Sequence, residues 1–106
     1  MNKFMRIIVF FDLPVKTKKD RHSATVFRNF LLKDGYHMVQ FSVYSRVCNG
    51  NDDLEKHKRR MKSNLPANGS VRSLVVTEKQ YESIDILVGK LSKEEKQASI
   101  EQLTIF

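Results

Sequence analysis

A chain of 106 residues, 41% hydrophobic and 29% charged, has the balance of one globular domain and is too short for two cores. Its single cysteine excludes an internal disulfide and a cysteine-based zinc site. No apolar run reaches bilayer-spanning length and the start lacks a signal-peptide pattern, so a cytoplasmic protein without membrane contact is expected.

The formal charge of +7 is lopsided: residues 1–72 hold 15 Lys and Arg against 6 Asp and Glu, and residues 73–106 hold 4 against 6. So basic a surface over the first two thirds points to a polyanion as partner.

Residues 3–12 read as a strand. Met5-Arg6-Ile7-Ile8-Val9-Phe10-Phe11 is nearly continuous in apolar side chains, the pattern of a strand covered on both faces. Pro14 cannot donate to a sheet ladder, so the strand ends beside Asp12. Asp12 is thus expected at a fixed place on the rim of the core. A carboxylate there serves either a binding or catalytic site, or the backbone donors of the turn.

A helix is expected over residues 17–34. Thr17 and Asp20 have capping-box spacing, Ala24, Phe27, Phe30 and Leu31 form one apolar face, and Gly35 stands where a helix ends in the left-handed region. Residues 36–48 are rich in strand formers whose alternation breaks, giving two short strands or one with a bulge near Gln40.

After the turn Asn49-Gly50-Asn51, a second helix is expected over 52–64. Its acidic residues come first and its basic residues last, as the helix dipole favours, but its apolar face is thin: Leu54, Met61 and Leu65. One side of it should therefore be wet or bound to something polar. Residues 70–77 read as a further strand, 84–88 as a short apolar run ended by Gly89, and 92–97 as loop or a helical turn. The apolar end Leu103-Thr104-Ile105-Phe106 should dock as a strand on this sheet or on a partner's.

This β-α-β-β-α-β order with a C-terminal extension is the ferredoxin-like sequence of elements, an α+β fold with two helices on one face of an antiparallel sheet. The boundaries read as a 1–90 domain and a 91–106 extension. The other sheet face is left open for a dimer, with Val71, Val75 and the 84–88 run expected to supply apolar surface there.

Among chemistry-bearing residues, the four glycines stand alone, so there is no phosphate loop. His22, His37 and His57 lack metal-cluster spacing and read as surface or sheet histidines. Asp12 is a candidate Mg²⁺ ligand, because Mg²⁺ takes one or two protein carboxylates and keeps several waters. One carboxylate is a poor site by itself, but a two-fold dimer brings a second copy of it. Lys16, Lys18, Lys19 and Arg21 follow Asp12 closely, and Lys56, Lys58, Arg59, Arg60 and Lys62 crowd the second helix. Such cations neutralise phosphates without reading sequence, and the helix-two set is equally well read as a solvated face.

Taken together, Ile7-Ile8-Val9-Phe10-Phe11-Asp12-Leu13-Pro14, Phe27-Arg28-Asn29-Phe30-Leu31 before Gly35-Tyr36, Met38-Val39-Gln40-Phe41-Ser42-Val43-Tyr44-Ser45-Arg46 and Gly69-Ser70-Val71-Arg72 resemble the CRISPR-associated protein two family, over about residues 4–90. The resemblance implies a ferredoxin-like homodimer whose C-terminal strands pack on the partner's sheet, bridging two dimers of the CRISPR integrase on double-stranded DNA during spacer acquisition. It also implies a Mg²⁺-dependent endonuclease, on RNA or DNA, with Asp12 from both subunits as metal ligand. The scaffold reading ranks first, with Lys16, Lys18, Lys19, Arg21, Arg46, Arg59 and Arg60 as its candidate nucleic-acid contacts.

Overall fold

The computed structural model describes residues 4–90. In chain order they form β1 (Phe4–Asp12), α1 (Lys18–Lys33), β2 (His37–Gln40), β3 (Val43–Asn49), α2 (Asn51–Lys62), β4 (Ser70–Thr77) and a short α3 (Glu78–Glu82). The strands make one antiparallel sheet in the order β2-β3-β1-β4. This is the α+β, ferredoxin-like arrangement that the element order implies. The expected 91–106 extension, with the strand expected to dock there, lies outside the described residues.

β1 is hydrogen-bonded on both sides, and the two-residue period of a strand divides its side chains between two faces. Ile7, Val9 and Phe11 turn toward the helices and join Phe27 and Leu31 of α1, Leu54 and Met61 of α2, and Tyr44 and Cys48 of β3 in the core. Phe11 meets Phe27 edge-on at 5.3 Å and stacks with Tyr44 at 5.7 Å, geometries that aromatic quadrupoles favour.

Arg6, Ile8, Phe10 and Asp12 take the opposite face. There α3 covers Arg6, but Ile8 is only half-buried and Phe10 is 39% exposed. The apolar run of β1 is therefore covered on both faces at one end only. At the Asp12 end the outer face is open.

β4 departs from expectation in phase. Cross-strand partners share a face, so Val71 opposite Phe11 and Val75 opposite Ile7 pack on the helix-covered core. The open face receives Arg72, Leu74 and Val76 instead, and Leu74 is 53% exposed. A one-residue shift in strand phase exchanges every side chain between faces.

The ends of α1 follow the expected chemistry. Thr17 Oγ1 accepts from the Asp20 amide at 3.0 Å, and the Asp20 carboxylate accepts from the Thr17 amide at 3.3 Å. At the other end, Tyr36 N–H donates to Leu31 at 2.9 Å and Gly35 N–H to Leu32 at 3.2 Å, with Gly35 at φ +91°. That is the paired closure of a Schellman motif. The irregularity expected near Gln40 is a register shift between Met38 and Gln40, followed by Ser42 at φ 64°.

α2 buries Leu54, His57 and Met61. Leu65 lies beyond the helix and is 50% exposed, so it does not belong to the apolar face. His57 takes its place, and the polar partner that the thin face calls for is Asp34.

Candidate nucleic-acid interface

Asp12 ends β1 in register with Ser70, at the open rim of the sheet, and is exposed. Two neighbours fix its backbone. The Phe11 amide donates to Ser42 at 3.0 Å, tying the β2–β3 turn to β1. Gly69, at φ +99°, lies so close that a Cβ there would sit 2.7 Å from the Asp12 carbonyl oxygen. Only glycine allows both that backbone conformation and that approach. Asp12 offers an exposed carboxylate, suited to one of the one or two that Mg²⁺ takes. Among the described residues no cluster of three His, Cys, Asp or Glu stands ready to hold a metal.

Lys16, Lys18 and Lys19 are all exposed, on the loop and first turn that follow Asp12. Arg21 folds back, donating from Nη1 to the carbonyls of Val15 at 3.1 Å and Lys16 at 3.2 Å, and so stiffens that loop. Beside it, a groove of about 340 Å³ runs between α1 and the 64–68 loop, lined in part by Leu13, Lys19, His22 and Asn68. Asp12 does not line it, so the groove and the carboxylate are separate features.

On α2, Arg59 and Lys62 are exposed, while Lys56 and Lys58 make i,i+3 pairs with Asp53 at 3.3 Å and Glu55 at 3.6 Å. Arg46 and Arg60 are engaged within the chain. Arg46 Nη1 donates to the Asp34 carbonyl at 2.8 Å, and Arg60 Nη1 to Asp34 Oδ1 at 2.9 Å. The structure thus leaves Lys16, Lys18, Lys19 and Arg21 exposed in the segment that follows Asp12, and Arg46, Arg59 and Arg60 on the helix-covered side.

His57 is a correction to the sequence reading: it is a buried helix residue, neither surface nor sheet. Its Nδ1 donates to Asp34 Oδ2 at 2.8 Å, and its Nε2 lies 3.2 Å from Asp53 Oδ1 without hydrogen-bond alignment. Burial alone would raise the Asp34 carboxyl, but the hydrogen bonds from His57 and Arg60 outweigh it and hold the group below its ordinary value of 3.8. Asp53 is also lowered: burial is outweighed by the Asn49 amide, 2.9 Å away, and by Lys56. Burial, with Asp53 nearby, pushes the Cys48 thiol up to about 11 and suppresses its thiolate. The Tyr36 phenol is likewise raised by burial. This cluster has the chemistry of an internal clamp, joining α2 to the α1–β2 turn.

With this geometry in view, the family model described as "CRISPR associated protein Cas2" matches residues 5–84. The chain belongs to the Cas2 family. It is 55% identical to a CRISPR-associated endoribonuclease Cas2 of Acidovorax ebreus, over 96% of this chain and 100% of that protein. Identity to the endoribonuclease Cas2 of Campylobacter jejuni is 43%, over 99% of this chain and 73% of that one. A solved structure, "Crystal structure of cas2", matches with a TM-score of 0.50 at 19% identity, over 85% of this chain and 92% of that one, which supports the fold. No helix among the described residues is long and apolar enough to cross a membrane.

Two residues of interest escape the sequence reading of this Cas2-family chain. Arg72 shares the open face with Asp12, which the wrong phase for β4 conceals. Glu78, buried against Arg6, is signalled only by the Thr77-x-x-Gln80 capping box that starts α3.

Proposed function

We propose that this Cas2-family chain is a homodimeric, DNA-binding scaffold for spacer acquisition, bridging integrase subunits and holding duplex by its phosphates. The observation that carries the reading is the imbalance at the rim: three exposed lysines, Lys16, Lys18 and Lys19, follow one exposed carboxylate, Asp12. Lysines on a stiff loop and the helical turn after it neutralise phosphates without reading bases, which suits a protein that handles DNA of any sequence. The open face, with Phe10 39% and Leu74 53% exposed, supports a second copy packing there. The test is spacer acquisition and duplex binding by Asp12→Ala beside a Lys16/Lys18/Lys19→Gln variant. Assayed at a concentration at which it is still dimeric, Asp12→Ala is expected to retain both activities, and the lysine variant to lose binding. Loss of acquisition by a folded, dimeric Asp12→Ala protein would overturn the ranking.

A second reading is supported by the endoribonuclease names of the relatives. In it, Asp12 from each of two copies holds Mg²⁺, which when bound would polarise a phosphodiester or its attacking water. The exposed carboxylate fits such an ion only in part within one chain. Purified protein should then cut nucleic acid only with a divalent cation, and Asp12→Ala should abolish cutting. Cutting that persists in Asp12→Ala would remove this reading.

A further inference from the structure

The open sheet face carries one residue of each charge at the end nearest Asp12. In the β1–β4 register Asp12 lies opposite Ser70, and Arg72 lies opposite Phe10, so Arg72 is the diagonal neighbour of Asp12 on the same face. Both are exposed, and among the described residues the ion pairs include neither. Around them the face is apolar: Phe10 is 39% and Leu74 53% exposed, and Ile8 is half-buried. The other end is already covered, because Glu78 and Tyr81 of α3 close over Arg6. Among the described residues, the surface this face leaves for a second copy is therefore at the Asp12 end.

Burying that apolar surface takes Asp12 and Arg72 out of water, which is costly for a charge without a partner. A two-fold interface offers one. In an isologous contact, if residue i meets residue j of the other copy, then j also meets i. An axis lying between the two faces, midway between Asp12 and Arg72, sets each carboxylate over the other copy's guanidinium. We propose that Asp12 of one copy and Arg72 of a second form two reciprocal ion pairs across this axis and fix the alignment of the two sheets. The arginine fork suits a bidentate hold on the carboxylate. Asp12 is then a positioning residue of the interface, and its conformation depends on the partner's Arg72. The inference rests on the reading that the open face meets a second copy.

The test is a charge exchange read by sedimentation equilibrium at several salt concentrations. Wild type is expected to be a dimer; a monomer would defeat the reading of the open face itself. Arg72→Asp and Asp12→Arg should each weaken self-association by about 30-fold or more, since each brings like charges together in a buried contact. An equimolar mixture of the two variants regains both pairs. It should form a heterodimer within about threefold of wild-type affinity, and unfolded chains could not do this. With wild type dimeric, undiminished dimerisation of either variant, or a mixture that fails to rescue while circular dichroism shows both chains folded, overturns the inference. Should an exchanged variant fail to fold, Asp12→Asn and Arg72→Gln complete a double-mutant cycle, in which coupling below about threefold overturns it equally.

Discussion

Asp34 joins three segments of the chain through two kinds of atom. Its carboxylate accepts from His57 and Arg60 of α2, and its backbone carbonyl accepts from Arg46 of β3. Next to it, Gly35 sits at φ +91°, which favours glycine, and a Cβ there would force the Arg46 guanidinium to shift. The folded-state value of Asp34 is depressed, so its contribution to stability is full above 3.8 and is lost as pH falls through the folded value. Asp34→Asn should flatten the dependence of urea stability on pH below about 4, and lower stability at neutral pH. A slope on the acid side equal to wild type would show that Asp34 carries none of it. Nothing local in the sequence marks Asp34. Its partners lie 12, 23 and 26 residues away, beyond any local pattern.

At the scale of elements, α3 shows how five residues hold a fixed place. A helix this short has no stability of its own. Its capping box closes one end, with Thr77 Oγ1 accepting from the Gln80 amide at 3.0 Å, and burial closes the other side. Glu78 accepts from Arg6 Nε at 2.8 Å, Arg6 Nη1 donates to Ser45 Oγ at 3.2 Å, and the guanidinium lies 4.0 Å from the Tyr81 ring centre. Removing one partner leaves the other charge buried alone. Glu78→Ala should therefore cost about 3–5 kcal/mol, measured by urea unfolding, a large share of the roughly 5–15 kcal/mol typical of a domain. Replacing Arg6 and Glu78 together with Met and Leu should cost far less, because no unpaired charge remains. Equal losses in the single and double variants would show that packing, and not charge, holds α3.

At the scale of the molecule, the exposed lysines follow in the chain directly after Asp12, the residue that ends the open face of β1. A cation that neutralises a phosphate releases a counterion, so removing one such cation makes the slope of log affinity against log salt shallower by about 0.9. Lys16/Lys18/Lys19→Gln should thus shallow that slope by about 2–3 for duplex DNA, while Arg60→Gln, removing a cation already held by Asp34, should leave it nearly unchanged. An unchanged slope in the lysine variant would move the duplex to another surface.

The element order, the capping of α1, the break near Gln40 and the place of Asp12 at the end of β1 could all be read from the chain. Each rests on local chemistry: side-chain period, a hydroxyl three residues before a carboxylate, a glycine at positive φ, a proline that ends a ladder. What only the tertiary structure decided are the pairings. It put Val71 and Val75 in the core and Arg72 outside, since a strand with apolar residues on both sides does not announce its phase. It turned His57 inward because Asp34 waits there, and it drew Arg46 and Arg60 into that clamp. The sequence could count the cations, but only the folded chain separates those holding it together from those left facing outward.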